Sequence, residues 1–465
     1  FCHRIPASCA PLDTFHRRLL RIRKRNRWNM TQRRSFARRE SRELGPKWLR
    51  STVFPLFLLC VCPPFVFLLW FAHVQLDGSM LKLSRVLWNE GLVHTLSMIW
   101  LPRIVGSVIA WKILGVYVSV ELLLLRFLPG KLVLGPCTAQ GHTPKYVDNG
   151  VASFAITIGL YLTCSYVLHW FPASILYDQL GDLLGALNLS ALLLCVLLYV
   201  KGRYAPSTPD HGLSGNPIFD YYWGTELYPS ILGWDVKRMT NCRIAMMGWP
   251  LLLLSFAAKQ QALYGLSDSM ICAVGLQLLY VAKFFHWETG YLRSLDMMHD
   301  RAGFYLCWGC LVWLPCVYTS PTLYLVNHPI TLGAPLSVAI CLLGALSIAV
   351  NYLADVQRQR VRATQGKTRV WGKPPKLIVG HYTTEQGERK ESLLLASGYW
   401  GLARHFHYLP ELTAAFFWTV PALFDSALPY FYVVFLAILL IDRSFRDDAR
   451  CAKKYGSDWD AYRKL

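Results

Sequence analysis

The sequence predicts an all-α polytopic membrane protein with about nine or ten transmembrane helices in one bundle. The chain has 465 residues, of which 54% are hydrophobic and only 16% are charged. No ordinary soluble domain shows this balance. A helix needs ~20 mostly apolar residues to cross the hydrocarbon core of a bilayer, and several stretches of the chain meet that requirement.

The expected spans follow one another along most of the chain. They are Val53–Val74, Ile104–Leu125, Val151–Trp170, Leu183–Val200, Ile244–Tyr264, Met270–Phe285, Phe304–Leu325, Leu336–Leu353 and Leu412–Ile441. The last one is long enough for two shorter helices. We expect a break at Pro421 or Pro429, because proline removes a helix hydrogen bond.

The N-terminal residues 1–50 form a basic arm that we expect to be disordered and cytoplasmic. This arm holds fifteen Lys and Arg residues against three acids. Positively charged segments stay on the cytoplasmic side of a membrane. The arm is either a topology anchor, which we favour, or a segment that touches anionic lipid or nucleic acid. Residues 51–465 then form the transmembrane domain.

The fourteen cysteines do not point to metal or disulfide chemistry. Most lie inside apolar runs, and they do not form paired CxxC motifs with a matching histidine cluster. They are typical of small buried hydrophobic residues in a reducing setting. We therefore expect no metal site.

Ionisable residues gather at a predicted membrane boundary, between two spans. On one continuous helix, Glu288, Asp296 and His299 would fall within an arc of about 80° and face one cavity. Acids and histidines at membrane depth are costly and usually face a pathway or a site. The alternative is that Asp296 and Asp300 simply pair with the neighbouring arginines of this segment.

A basic loop from Asp355 to Lys376 leads into a Gly-rich aromatic stretch, Leu393 to Leu412. This stretch ends in the sequence RHFHY, which contains His407 and Tyr408. Aromatic rings and guanidinium groups stack on flat heteroaromatic ligands, and cations hold phosphate. The pattern therefore favours a site for a large anionic ligand.

The C-terminal stretch RDDARCAKKYGSDWDAY, Arg446 to Tyr462, adds to this site. Asp447, Cys451 and Tyr455 recur every four residues and would share one helix face, with Arg446 and Arg450 on a neighbouring face that is positioned for phosphate. No GxGxxG motif follows a strand, which excludes a Rossmann domain as the binder. We predict a cytoplasm-facing pocket for a dinucleotide cofactor, over about 354–465. A solvated juxtamembrane helix is the alternative.

Several of these motifs also resemble the sterol reductase family, and the resemblance runs from about Pro55 to Leu465. The signature RxxRDxxxCxxKYGxxWxxY is matched in full from Arg443 to Tyr462. Other matching stretches are GTELYP, SFAAKQQ, KFFHWETGYL, MMHDRAGFYLCWGCLVWLPCVYTSPTLYLVNHP, LLLASGYWGLARHFHYLPELTAAFFWTVPALF and LPYFYVVF. RHFHY and CWGCLVW favour the Δ7 branch of the family over the Δ14 branch.

The resemblance implies an NADPH-dependent reduction of the C7–C8 double bond of 5,7-diene sterols, in the endoplasmic reticulum membrane. The substrate would come from the bilayer, and no nucleic-acid partner is expected. Carried over position by position, the family's cofactor pocket falls on Arg358, Arg362, Leu395, Trp400, His407, Tyr408, Asp447, Cys451, Ala452, Lys453, Lys454, Tyr455 and Tyr462.

The implied reaction needs a proton donor as well as NADPH, because an unactivated alkene resists hydride until it is protonated. The candidate donor is Tyr318, at the end of the span that contains LVWLPCVY. Glu288, His299 and Asp300 are candidate relays, and Asp447 is expected near the nicotinamide.

Three other functions remain as alternatives. A Δ14-sterol reductase would share the cofactor site and differ in the sterol cavity. A scaffold like the lamin B receptor would bind chromatin through the basic arm. An isoprenylcysteine methyltransferase would share the arginine, histidine and tyrosine element, but the extra spans and the basic loop argue against it.

Overall fold

The computed structural model describes residues 46, 48–138, 140–383 and 387–465. Within these ranges, nine helices are long and apolar enough to cross a membrane, which confirms the predicted polytopic helical fold. They are α1 (Leu49–Val74), α2 (Val108–Phe127), α3 (Gly150–Val167), α4 (Leu180–Tyr204), α5 (Arg238–Tyr264), α6 (Asp268–His286), α7 (Phe304–Leu325), α8 (Ala334–Ala363) and α10 (Leu428–Tyr455). Of the basic arm, residues 1–45 lie outside the described ranges.

Two of these helices form the centre of the bundle. In α5 and α7, 72% of an 18-residue window is buried, against 17% in α2. The centre is packed with large rings, because Trp249 of α5 stacks edge-on against Trp418 and Tyr318. Peripheral helices instead expose leucine and valine, as expected for surfaces that face lipid.

The last predicted span is broken at its prolines, as the sequence indicated. Helix α9 (Tyr408–Thr419) ends in a single 3-10 turn, Val420–Ala422, and a second one, Leu428–Tyr430, begins α10. Pro421 and Pro429 lie in these two turns. Helix α9 is therefore short, and it begins at Tyr408, the last residue of the RHFHY stretch.

In the described ranges, short helices and three antiparallel hairpins lie between the spans and after the last one. The helices are Met80–Glu90, Leu92–Ile99, Ile175–Asp178, Pro217–Trp223, Glu288–Tyr291, Leu295–Met298, Tyr399–Leu402 and α11 (Ser457–Arg463). The strands are β1 (Lys131–Leu134) with β2 (Lys145–Asp148), β3 (Ser230–Ile231) with β4 (Trp234–Asp235), and β5 (Leu377–Thr383) with β6 (Arg389–Leu395).

The third hairpin supports the C-terminal region. Its register pairs Leu377 with Leu395, and Leu394 packs in one apolar cluster with Cys451, Trp459 and Tyr462. A hydrogen bond of 2.8 Å from the Tyr462 hydroxyl to the Leu395 carbonyl joins α11 to the end of β6. The hairpin therefore fixes the end of α10 and the helix that follows it.

The segment from Glu288 to His299 is not one helix, and the expected common face is wrong. Glu288–Tyr291 and Leu295–Met298 are separate turns, because Ser294 between them has an extended backbone (φ −75°, ψ 171°). His299 also leaves the helical region, with φ −134°. Glu288, Asp296 and His299 consequently point to different partners.

Candidate functional site

A cavity of about 1130 Å³ lies among helices α5 to α10 and is closed by β6 and α11. Single-ligand pockets usually occupy ~300–1,000 Å³. The cavity is therefore large enough for more than one ligand. Its lining divides into a polar part, built mainly from α8, α9 and α10, and an apolar part between α5, α7 and α10.

The polar part carries a concentration of positive charge. The cations that line it are Arg358, Arg360, Arg362, Arg404, Arg450 and Lys454. The guanidinium of Arg358 lies 4.1 Å from the ring centroid of Trp400, and it also pairs with Asp355 at 2.9 Å. Trp400 is in turn fixed by a 2.8 Å hydrogen bond from its indole N–H to the Ala354 carbonyl.

The face of α10 that lines the cavity is the one predicted from the spacing of its residues. Asp447, Cys451 and Tyr455 all line the cavity, and α10 ends at Gly456, whose φ of +58° permits the turn into α11. A guanidinium nitrogen of Arg450 lies 2.6 Å from the Asp447 carboxylate. Asp447 is therefore an oriented acceptor at the cavity wall.

Most of the predicted cofactor-binding residues meet at this wall. Those that line the cavity are Arg358, Arg362, Leu395, Trp400, His407, Tyr408, Asp447, Cys451, Lys454, Tyr455 and Tyr462. Ala452 and Lys453 do not line it, because they lie on the other side of α10, between the turns that bring Cys451 and Tyr455 inward.

Arg446 does not face the cavity with Arg450, which corrects the expected cationic face. Its guanidinium instead bonds Asp442 at 2.7 Å, the Tyr305 hydroxyl at 3.0 Å and Asp300 at 3.3 Å. Arg446 thus fastens α10 to the segment before α7.

Several buried polar atoms near the RHFHY stretch have no hydrogen-bond partner in the described part of the chain. They are Nε of Arg358, Nε2 of His405 and Nδ1 of His407. Burial, and after it the positive charge of Arg358, lowers the pKa of His407 well below its ordinary value. His407 is therefore neutral at pH 7, and one of its ring nitrogens is an available acceptor or donor for a ligand.

The apolar part of the cavity is lined by rings and aliphatic side chains. Among them are Trp249, Leu306, Trp313, Leu314, Tyr318, Tyr432, Phe435, Leu436 and Leu439. Tyr318 packs against Tyr432 with ring centroids 4.7 Å apart, and against Trp249 at 5.4 Å. Its hydroxyl has no hydrogen-bond partner among the described residues.

Glu288, expected as a relay, does not line the cavity. Its carboxylate lies 2.7 Å from Arg243 and 3.3 Å from Arg238, and all three side chains are buried. Burial opposes ionisation of Glu288, but the two arginines outweigh it and lower the pKa of the carboxyl. The group is a structural ion pair that holds the segment after α6 onto α5.

His299 and Asp300 also lie outside the cavity lining. They are hydrogen-bonded to each other at 3.2 Å, and Arg446 reaches the same carboxylate. Burial opposes ionisation of Asp300, while the bond to His299 and the charge of Arg446 lower its pKa. Of the acids in this segment, Asp296 is the one that lines the cavity, where it pairs with Arg443 at 2.5 Å.

The cavity-lining residues missed as site candidates include Tyr280 and Lys283 of α6, Asn351 of α8 and Glu411 of α9. Lys283 carried a signal, because a lysine inside an apolar span is costly and usually marks a site. The Lys283 ammonium donates to the Asn351 side-chain oxygen at 2.8 Å, and the Tyr280 hydroxyl donates to Glu411.

Comparison with known proteins places this arrangement in a family. The model of the ergosterol biosynthesis ERG4/ERG24 family matches residues 61–465. The chain belongs to this sterol reductase family. Family membership accounts for the C-terminal signature, which builds one wall of the cavity, and makes the protein an oxidoreductase of sterol biosynthesis.

Individual relatives of the sterol reductase are similar over most of their length. The chain is 52% identical to 7-dehydrocholesterol reductase from Arabidopsis thaliana, over 88% of this chain and 94% of the relative. It is 38% identical to 7-dehydrocholesterol reductase from Xenopus laevis, over 79% and 80%. It is 36% identical to Delta(14)-sterol reductase from Methylotuvimicrobium alcaliphilum, over 88% and 92%.

We expect Glu288→Gln to destabilise the protein rather than to change its chemistry. Removing one partner of a buried ion pair costs ~3–5 kcal/mol, because it leaves uncompensated buried charge. Unfolding in detergent should show this loss. The control Glu391→Gln, on the exposed hairpin, should change stability by less than ~0.5 kcal/mol. A Glu288→Gln protein with wild-type stability and no reductase activity would restore the relay role.

Proposed function

We propose that this sterol reductase reduces the C7–C8 double bond of 5,7-diene sterols with NADPH, in the endoplasmic reticulum membrane. The observation that carries the proposal is that one cavity joins a cationic, ring-lined part to an apolar part. A dinucleotide is anionic and carries flat rings, whereas a sterol is rigid and almost wholly apolar. The two parts match these two molecules.

The polar part offers the groups that a dinucleotide phosphate needs. Arg358 and Arg450 each have a carboxylate partner, Asp355 and Asp447. Arg362 pairs with no carboxylate in the described ranges, and its Nε donates to the Leu393 carbonyl at 3.3 Å. Its remaining donors can bind phosphate in a bidentate manner. We assign Arg362 to the extra phosphate that distinguishes NADPH from NADH.

The buried atoms without partners fit the other portions of the same cofactor. His407 Nδ1 and Arg358 Nε are positioned to bond ligand groups, and Trp400 and Tyr455 add aromatic rings to the same wall. When bound, NADPH supplies the hydride for the reduction. Asp447 and Arg450 would orient it at the junction with the apolar part.

The apolar part of the cavity suits the protonation of the sterol double bond. Protonation of an alkene creates a carbocation, and water must be excluded from it. The rings of Trp249, Tyr318 and Tyr432 pack together as one wall of the apolar part of the cavity. Tyr318, the donor expected from the sequence, lies on this wall and stays a candidate.

Reduction at C7–C8 is favoured over reduction at C14 by the similarity of the relatives. The identity is 52% with the Arabidopsis 7-dehydrocholesterol reductase and 36% with the bacterial Delta(14)-sterol reductase, over an equal 88% of this chain. The substrates differ in the position of one double bond, so the lining of the apolar part must select between them.

The direct test is expression in yeast that accumulates 5,7-diene sterols. Loss of the ultraviolet absorbance of the conjugated diene, with appearance of the 7,8-dihydro product by mass spectrometry, supports the proposal. Unchanged diene in cells that contain the protein in their membranes contradicts it. A parallel culture that accumulates Δ14 sterols identifies a Δ14-sterol reductase.

Arg362→Gln should raise the NADPH concentration at half-saturation by about ten- to a hundredfold, because a charge-assisted hydrogen bond contributes ~1.5–3 kcal/mol. The NADH concentration at half-saturation, which we expect to be higher than that of NADPH, should change much less. Arg369→Gln, in the same basic stretch but beyond the end of α8 and outside the cavity lining, is the matched control and should behave like wild type. Equal effects of the two substitutions, or an equal loss for NADH, would refute the assignment.

Asp447→Ala should also act on the cofactor rather than on the sterol. It removes a charged acceptor at the cavity wall, so we expect a ten- to hundredfold weaker NADPH interaction for ~1.5–3 kcal/mol. Ser457→Ala, exposed at the start of α11, should cost little. At matched membrane expression, an unchanged NADPH half-saturation in Asp447→Ala would show that this acidic group is structural.

A further inference from the structure

Four carboxyl groups line the cavity, and they are not equivalent. Asp296, Asp355 and Asp447 each form an ion pair with an arginine, at 2.5, 2.9 and 2.6 Å. Glu411 forms no ion pair with any described residue. Each of the three aspartates is thus held by a guanidinium group. Glu411 is the cavity acid that no arginine holds in the described part of the chain.

The position of Glu411 places it between the two parts of the cavity. It lies in the first turn of α9, one turn beyond His407 of the polar part. Its Oε1 accepts a hydrogen bond from the Tyr280 hydroxyl, and the Tyr280 ring centroid lies 5.8 Å from that of Trp249 in the apolar part. Its Oε2 has no hydrogen-bond partner within the described ranges. One oxygen is thus anchored, and the other is left for the ligand.

A cationic group lies close to this acid. The Lys283 ammonium is 4.5 Å from the centroid of the Tyr280 ring and donates to the Asn351 side chain at 2.8 Å. Asn351 in turn donates to the His407 carbonyl at 2.9 Å, immediately before α9. Polar groups therefore lead from the cofactor part of the cavity to Glu411.

We propose that Glu411 is the acid that protonates the sterol double bond. The Oε2–H bond breaks and a C–H bond forms at one alkene carbon, while the other carbon becomes cationic and accepts the hydride. The remaining carboxylate is stabilised by the Tyr280 hydroxyl and by the Lys283 ammonium. Glu411 recovers its proton from water in the polar part before the next turnover. The inference rests on the proposed function.

This assignment is chemically favoured over the Tyr318 hydroxyl. A carboxylic acid is a stronger acid than a phenol by about six pKa units in water, and an alkene is a very weak base. The conjugate base of Tyr318 would also lack a hydrogen-bond donor among the described residues, whereas that of Glu411 has Tyr280. Tyr318 then serves as part of the apolar wall.

The test compares Glu411→Gln with Glu411→Asp, Tyr280→Phe and Tyr318→Phe in reconstituted membranes. Sterol turnover and direct NADPH binding are both measured. Glu411→Gln keeps an acceptor for Tyr280 but has no acidic proton, so turnover should fall at least a hundredfold, with NADPH binding within about threefold of wild type. Glu411→Asp should recover part of the rate. Tyr280→Phe should slow turnover about tenfold, and Tyr318→Phe should retain more turnover than Glu411→Gln.

Two results would overturn the inference. One is turnover of Glu411→Gln within about threefold of wild type, above all if Tyr318→Phe is inactive. The other is loss of NADPH binding or of the folded protein in both Glu411 variants, which would make the residue structural. Failure of the proposed function looks different, because the wild-type protein itself would then leave 5,7-dienes unreduced. If it reduces another sterol, the same comparison is made on that sterol.

Discussion

Charge pairing inside a water-poor bundle is the constraint on which the rest of the structure depends. Unpaired charge is costly at membrane depth, so each buried cation needs a partner. Arg238 and Arg243 enclose Glu288, and Lys237 donates to the carbonyls of Met297 and Asp300 at 2.9 and 2.6 Å. These contacts fix the irregular segment between α6 and α7 against α5. That segment carries Asp296, which meets Arg443 at the junction of the two cavity parts.

Because of the same constraint, charged side chains and apolar rings line different regions of the cavity. Cations collect at the end near β6 and α11, where phosphate can replace solvent as their partner. Rings collect at the inner end, where a carbocation would be protected from water. Between the ends lies Glu411, a carboxyl group without a cationic partner within hydrogen-bond distance in the described structure. In the proposed reaction, the hydride comes from the polar part of the cavity, and the proton comes from Glu411 between the two parts.

Local features of the sequence predicted much of this arrangement, and long-range pairing explains what they missed. The spans follow from apolar windows, the break before α10 follows from Pro421 and Pro429, and the inward face of α10 follows from the spacing of Asp447, Cys451 and Tyr455. The expected common face of Glu288 and His299 failed because Ser294 interrupts the helix. Arg243 contacts Glu288, and Tyr280 contacts Glu411. The members of each pair are far apart in the sequence, so no local pattern predicts the contact. The sequence indicated Lys283, because it is a charged residue within a predicted span, but it did not indicate Glu411.

The central claim is that the cofactor and the sterol share one cavity and meet beside Glu411. A cryo-electron microscopy map of the protein with NADP⁺ and a 5,7-diene sterol tests it most directly. We expect phosphate density at Arg362, the nicotinamide at the junction near Asp447, and the sterol B ring within contact distance of both the nicotinamide and Glu411. Sterol density at a separate site outside the cavity, or a cofactor bound away from the α8 and α10 walls, would contradict the claim.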